Sequence, residues 1–225
     1  MTERLADKRI LITSASTYMG PAISELFAAE GADVIADTGA LLEPNEPSEL
    51  IDRAGDIDVL VANLDIPASN AKVVAIEDDD WLRGFDAMVH PLMRLVRAAA
   101  PGMIERGGGS MVAITSSSPL RRMSPQAVPY VTARAAQNAF VRSAGHQLAK
   151  QGVRLNAVAQ NFVANDVYYP PEVLANEKFQ ARLATDVPAA RIGEPNESAE
   201  LALFLASESS SFIFGQIISQ DGGWS

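Results

Sequence analysis

The chain has 225 residues, a formal net charge of −10, 48% hydrophobic residues and no cysteine. This composition is typical of a globular protein, and the length suits one α/β domain over residues 1–225. Without cysteine, the chain has no disulfides, thiolate metal sites or cysteine nucleophiles. The negative charge disfavours nucleic acid and anionic membranes as partners, and no apolar run approaches the ~18 residues of a membrane span. The charged N-terminus lacks a signal peptide's apolar stretch, so we expect a cytoplasmic protein.

In the first half of the chain, short β-branched runs alternate with longer stretches that are apolar at helical spacing. The predicted strands are 9–13, 33–37, 58–63 and 110–115. The predicted helices are 19–30, 47–53 and 79–106. Gly31 closes the first helix, and three glycines at 107–109 turn the chain into the fourth strand.

The second half begins with the same rhythm and then changes. A long helix is predicted over 127–151 and a fifth strand over 153–160. An aromatic-rich loop follows at 161–171, with short helices at 171–184 and 197–207 and a last strand at 212–220.

Strands that alternate with helices predict βαβ units with right-handed crossovers and a parallel sheet. The fold class is therefore α/β, with a Rossmann-like, doubly wound parallel sheet in three αβα layers. Such a sheet binds ligands beyond the carboxyl ends of its strands. The informative loops are those after Ile12, Ala62, Thr115 and Gln160.

The loop from Thr13 to Gly20 lies where a dinucleotide-binding fold has its glycine loop, which needs small residues so that backbone N–H groups reach a pyrophosphate. Ser14 and Tyr18 stand where the pattern T-G-x3-G-x-G has its first two glycines, and only Gly20 is retained. The phenol of Tyr18 would take the space of the phosphates or the nicotinamide. The loop is either a divergent site that still binds NAD or a cofactor pocket that has been filled and reused.

Ser117 follows the fourth predicted strand, and Tyr130 and Arg134 lie on the next helix. Positions i and i+4 share a helix face, so Tyr130 and Arg134 point into the same cleft. A free tyrosine is a poor base at neutral pH, but a guanidinium beside it favours the phenolate. With Ser117 donating to the substrate oxygen, the set predicts a general base for a substrate hydroxyl. The alternative is an ordinary turn serine and a packed tyrosine.

Three segments resemble the short-chain dehydrogenase/reductase superfamily, and the resemblance covers the whole chain. They are the third strand, 58–63, the spacing Ser117-x12-Tyr130 and the terminal segment 215–223. Ser116 and Ser118 flank Ser117, which is selected because its 13-residue interval to Tyr130 fits the family.

Within that superfamily the chain is most similar to the halohydrin dehalogenases. Their nucleotide motif is replaced by T-x4-F/Y-x-G, matched here by Thr13, Tyr18 and Gly20. Their catalytic lysine is replaced by arginine, matched here by Arg134. The resemblance implies an enzyme that converts a vicinal halohydrin into an epoxide, a proton and a halide, and that opens epoxides with small anions in reverse. It implies no cofactor and no metal.

The resemblance also assigns roles. Tyr130 takes the hydroxyl proton, assisted by Arg134, while Ser117 holds the oxygen. The halide lies against backbone N–H groups after the fifth strand and an aromatic ring edge, which by position are those of Gln160, Phe162, Val163 and Tyr18. Tyr168 and Tyr169 match aromatic positions that line the substrate site. The superfamily pairs its two long helices in tetramers, so a homotetramer is expected.

Two other functions remain open. An NAD(P)-dependent short-chain dehydrogenase/reductase with a divergent glycine loop is the alternative enzyme. A non-catalytic binding protein on the same fold is the third possibility, and the complete Ser117, Tyr130 and Arg134 set argues against it. Halide release without nucleotide distinguishes the first two functions.

Overall fold

Six parallel strands form one sheet in the order β2-β1-β3-β4-β5-β6. The computed structural model describes residues 3–68, 71–121 and 127–225. The strands are β1 Arg9–Ile12, β2 Asp33–Ala36, β3 Val59–Asn63, β4 Gly109–Ser116, β5 Val153–Gln160 and β6 Ile217–Gln220. Strand order reverses between β1 and β3, so the loops after these two strands open a crevice at the carboxyl edge of the sheet.

The helices of the described residues cover both faces of this sheet, which confirms the three-layer α/β architecture. They are α1 Gly20–Ala29, α2 Glu46–Ala54, α3 Asp78–Gly84, α4 His90–Glu105, α5 Val128–Ala149, α6 Pro171–Leu174, α7 Glu177–Asp186 and α8 Pro195–Ala206. One apolar cluster joins the sheet to α2, α4 and α5, and a second joins it to α1 and α8. Short 3-10 turns occur at Val73–Ala75 and Glu208–Ser210.

The long helix predicted over 79–106 is present, but it is interrupted. A π-helical turn, Phe85–Val89, joins α3 to α4. Pro91 follows it in the first turn of α4. Proline lacks an N–H and its ring meets the preceding turn, and a widened turn accommodates both effects.

Two predictions near the C-terminus were wrong in extent. The last strand is only Ile217–Gln220, because Phe212 lies 96% exposed in a turn and the chain joins the sheet only after it. The helix predicted over 171–184 is two helices, because the Asn176 side chain accepts hydrogen bonds from the N–H groups of Lys178 and Phe179 and starts α7 anew. In the described part of the chain, no helix is long and apolar enough to cross a membrane.

Candidate active site

The turn between β1 and α1 retains one glycine, Gly20, and has Ser14 and Tyr18 at the other two glycine positions. A Cβ on Gly20 would lie 2.3 Å from the Ser14 carbonyl oxygen, so this position requires glycine. Ser14 and Tyr18 have φ angles of 46° and 55°. These left-handed angles favour glycine and are uncommon for bulky residues, so the two side chains are carried by a strained turn.

The Tyr18 side chain points into the protein at the crevice. Its ring meets the ring of Tyr168 edge to face, with the centroids 5.5 Å apart, and the guanidinium carbon of Arg134 lies 5.8 Å from its centroid. The backbone N–H of Tyr18 donates to Asp166 Oδ1 at 2.9 Å. Burial raises the pKa of Tyr18 well above its ordinary value, so this phenol stays protonated at neutral pH.

Arg134 lies on α5 and is fully buried, with no exposed surface. Its Nε–H donates to the Tyr130 hydroxyl at 3.2 Å, and Nη2 donates to the Tyr168 hydroxyl at 3.3 Å. Its Nη1 donates to three oxygens, those of the Leu64 carbonyl, the Ile114 carbonyl and the Gln137 side chain. No carboxylate of the described residues accepts a hydrogen bond from this guanidinium. Burial lowers the pKa of Arg134, but the neighbouring tyrosines outweigh it and raise the pKa overall.

Tyr168 links this arginine to the loop after β3. Its hydroxyl donates to the Ile66 carbonyl at 2.7 Å while it accepts from Arg134. Its ring lies 5.6 Å from that of Tyr130. Burial raises the pKa of Tyr168 well above its ordinary value. Tyr168 therefore connects Arg134 to the loop after β3, in addition to the substrate-lining role that the resemblance implies.

Tyr18, Tyr130 and Tyr168 border a cavity of about 270 Å³ at the carboxyl edge of β4 and β5, whereas Arg134 is not among its lining residues. All four tyrosines of the chain line it, including Tyr169, whose hydroxyl donates to Asn161 Oδ1 at 3.0 Å. The fold therefore brings Tyr18, Tyr130, Tyr168 and Tyr169 together around one cavity.

The serine that borders this cavity differs from the expected one. Ser116 and Ser118 line it, with their hydroxyl oxygens 2.8 Å apart. Ser117 is fully buried and is not among the lining residues, and its Oγ has no hydrogen-bond partner in the described part of the chain. Side chains alternate along a strand, so Ser116 shares the face of Val112 and Ile114, which pack with Tyr18. That alternation is the sequence signal that points to Ser116.

The segment after β5 places only part of the expected halide site. Phe162 has a φ angle of 52°, and its N–H donates to Asn161 Oδ1 at 3.0 Å. The N–H of Val163 has no acceptor among the described residues. Gln160 lies within β5 between Ser116 of β4 and Gln220 of β6, so its backbone belongs to the sheet, and the residue is among those that line the cavity.

An aromatic cluster forms part of the cavity wall. The Phe162 ring stacks on Tyr169 at 5.9 Å and meets Trp224 edge to face at 5.8 Å. Arg121 lies over the Trp224 ring, with its guanidinium carbon 5.2 Å from the centroid. Trp224 therefore packs on the cavity of its own chain.

Two further titratable residues are Asp65, which interacts with the charge of Arg134, and His90, which does not line the cavity. Burial raises the pKa of Asp65, and the charge of Arg134 opposes this rise. His90 Nδ1 lies 2.9 Å from Asp86 Oδ1 on the long helix, and His90 does not line the cavity. The described residues include no group of three or more potential metal-ligating side chains.

Known proteins similar to this chain include both reductases and a dehalogenase. The sequence profile of the family described as enoyl-(acyl carrier protein) reductase matches residues 47–225. The 3-oxoacyl-(acyl-carrier-protein) reductase of Thermotoga maritima is 29% identical and covers 98% of both chains. That of Vibrio cholerae is also 29% identical, over 97% of this chain and 98% of its own.

The solved structures similar to this chain also include both a dehalogenation enzyme and a dehydrogenase. A structure described as a dehalogenation enzyme has a TM-score of 0.91 and 31% identity, over 99% of this chain and all of the other. A gluconate 5-dehydrogenase from Burkholderia cenocepacia, in complex with NADP and tartrate, has a TM-score of 0.89 and 25% identity, over 99% and 97% of the two chains. The family match over most of the chain and the shared parallel fold give one conclusion: this protein belongs to the short-chain dehydrogenase/reductase superfamily.

Proposed function

We propose that this protein is a halohydrin dehalogenase, which converts a vicinal halohydrin into an epoxide, a halide and a proton without a nicotinamide cofactor. The observation that carries the proposal is the buried guanidinium of Arg134, whose three nitrogens are all hydrogen-bonded inside the protein, one of them to the Tyr130 hydroxyl. A buried cation without a carboxylate partner is costly, so the site favours an anion. An anion held against Tyr18 or Tyr130, whose rings both lie close to the guanidinium, meets that need.

The reaction follows from these positions. Tyr130 acts as the general base that takes the proton of the substrate hydroxyl, and Ser116 holds the oxygen that loses it. The resulting alkoxide oxygen bonds to the neighbouring carbon from the back while the carbon–halogen bond breaks and its electron pair leaves on the halide. The proton on Tyr130 then passes to solvent. We assign the serine role to Ser116 because it borders the cavity with Tyr130, whereas Ser117 does not.

The leaving halide is received by Val163 and Tyr18, which line the same cavity. The N–H of Val163, which has no acceptor among the described residues, donates to it, and the positive edge of the Tyr18 ring faces it. The buried charge of Arg134 lies behind that ring. The reverse reaction uses the same groups to hold a small anion that opens an epoxide.

The second candidate is an NAD(P)-dependent dehydrogenase or reductase. The names of the two bacterial reductases, each 29% identical over nearly the full length, favour it. The residues of the β1–α1 turn do not fit a dinucleotide, however. A buried tyrosine stands at the second glycine position, and its N–H is held by the Asp166 carboxylate rather than free for a phosphate. Every nitrogen of Arg134 is engaged internally, so none is directed at a ribose.

Halide titration tests the proposal. The protein is incubated with a chlorinated or brominated vicinal alcohol in the absence of nucleotide, and released halide is measured over time. We expect halide release and epoxide formation, and Tyr130→Phe should lower the rate by about 10²–10⁴-fold because the base is lost. Tyr169→Phe loses only a hydroxyl bonded to Asn161 and serves as the matched control, with a much smaller expected effect.

Two other results would contradict the proposal. Turnover that requires NADH or NADPH, reduces a carbonyl compound and releases no halide from any halohydrin would establish the second candidate. Tight binding of either nucleotide in calorimetry, with competition by the substrate, would also contradict the proposal.

A further inference from the structure

Gln160 is the central member of a polar row across the sheet. It is the register partner of Ser116 on β4 and of Gln220 on β6. Register partners on parallel strands point their side chains to the same face. Ser116 and Gln160 therefore stand side by side, and both line the cavity.

The Gln160 side chain has no hydrogen-bond partner among the described residues, and the residue lines this cavity. The residue is 4% exposed, and its Oε1 is buried with no hydrogen-bond partner among the described residues. Gln220, the next residue in the row, differs because its oxygen accepts from the Ser198 hydroxyl. Leaving a buried polar group unpaired costs about 1–3 kcal/mol, so an unpaired carboxamide beside a ligand cavity suggests that its partner is the ligand.

The position of Gln160 selects the part of the ligand that it meets. In the proposed function, Tyr130 and Ser116 contact the reacting hydroxyl, and Val163 and Tyr18 contact the halide. A carboxamide both donates and accepts hydrogen bonds, and so does a neutral hydroxyl. An apolar substituent in the same place leaves the carboxamide unpaired, and such a site discriminates against the analogue that lacks the hydrogen-bonding group.

We infer that the Gln160 carboxamide binds a second, non-reacting hydroxyl of the substrate, so that the preferred substrates are halohydrins that carry an additional hydroxyl beside the reacting carbons. This inference rests on the proposed function for the reaction, and it adds the substrate class. Gln160 acts as a specificity-determining residue through its side chain, not through its backbone N–H.

The test compares two substrates that differ by one hydroxyl, a chloropropanediol and the corresponding chloropropanol. For the parent protein we expect kcat/KM to favour the diol by about tenfold. In Gln160→Met, which is similar in length but cannot pair with a hydroxyl, that ratio should fall to within about twofold of unity. Gln216→Met, at an exposed glutamine outside the cavity, is the matched control and should keep the parent's ratio. A parent protein without preference for the diol, or a Gln160→Met variant that retains it, overturns the inference.

A binding experiment separates the inference from the reaction. In Tyr130→Phe, which removes the base, the same two compounds are titrated while tryptophan fluorescence is followed, because Trp224 lines the cavity and Trp81 is not among its lining residues. We expect the diol to bind about tenfold more tightly than the chloropropanol, and Gln160→Met in this background to abolish the difference. Equal affinity for both compounds overturns the inference even if halide is released. Absence of halide release from either compound in the parent protein contradicts the proposed function. In that case the binding comparison still tests whether Gln160 recognises the second hydroxyl.

Discussion

At the scale of single residues, Arg134 differs from a lysine at the same position in how many oxygens it can hold at once. Its planar guanidinium serves Tyr130, Tyr168 and the Leu64 carbonyl in different directions. A lysine ammonium is a point donor and cannot span these acceptors. Arginine at this position therefore fixes the two tyrosines relative to each other as well as supplying charge.

Arg134→Lys consequently should damage this protein, although lysine is the residue that the superfamily carries there. We expect halide release to fall about 10- to 100-fold and the free energy of unfolding to fall by about 1–3 kcal/mol, because buried carbonyls lose their donors. Halide titration and thermal melting measure the two effects. Arg97→Lys, at an exposed residue of α4, is the control and should change neither. A lysine variant that is as active as the parent, or that becomes nucleotide-dependent, would argue for the dehydrogenase.

The site residues could be predicted to different degrees. The i, i+4 spacing of Tyr130 and Arg134 on α5 is enough to bring them together, and the hydrogen bond between them follows. The serine depends instead on a count of 13 residues from Ser117 to Tyr130, which runs through 122–126, outside the described residues. The alternation of β4 selects Ser116. The partners of Arg134 on β4 and after β3 are distant in sequence, so no local pattern contains them.

At the scale of elements, the turn from β1 into α1 depends on one close approach. A Cβ on Gly20 would lie 2.3 Å from the Ser14 carbonyl oxygen and 2.6 Å from Ala15 Cα, both of them backbone atoms that cannot move independently. The same turn supports Tyr18, two residues earlier. The stability of the turn and the position of the Tyr18 ring are therefore linked.

Gly20→Ala should reduce the free energy of unfolding by about 3 kcal/mol or more, because the added methyl group meets main chain on two sides. Gly102→Ala provides a comparison within α4, since its Cβ would meet only the flexible side chain of Arg106, at 3.1 Å. That variant should stay within about 1 kcal/mol of the parent, because alanine also favours the helix. Urea denaturation measures both. Equal stabilities would show that the turn can relax around the methyl group.

The longer elements could be predicted because their patterns extend over many residues. The helix predicted over 127–151 is Val128–Ala149, and the strand predicted over 153–160 is Val153–Gln160. Errors occur where one side chain or one turn decides the boundary. The Asn176 cap divides a predicted helix, and the π-turn at Phe85–Val89 leaves no mark on the apolar periodicity.

At the scale of the whole molecule, the sheet order could not be derived from local patterns, because parallel pairing joins strands that are distant in the chain. The alternation of strands and helices predicts crossovers and layers, and the loops singled out in the sequence follow β1, β3, β4 and β5. The strand reversal between β1 and β3 then brings Tyr18 beside Arg134 and Tyr168.

Acid should destabilise the protein partly through Glu197. Hydrogen bonds from Arg191 at 2.8 and 2.7 Å, together with one from the Glu194 backbone, lower the pKa of Glu197 to about 2. Because the folded pKa lies below the ordinary value of 4.5, this stabilisation is present above that value and is lost as the pH falls through about 2. Between these limits the melting temperature of Glu197→Gln should fall less than that of the parent. Glu172→Gln, at an exposed carboxylate without a described ion pair, is the control. Identical pH slopes for Glu197→Gln and the parent would contradict this role.

The left-handed angles at Ser14 and Tyr18 bear on how such a protein changes in evolution. The main chain there already has the shape that glycine adopts freely, so exchanging either residue for glycine requires no refolding of the turn. The cost of replacing Tyr18 by glycine is instead a loss of packed side-chain volume, since removing the buried phenol leaves a cavity. At Ser14 and Tyr18 this turn therefore differs from a glycine loop in side-chain size more than in backbone shape.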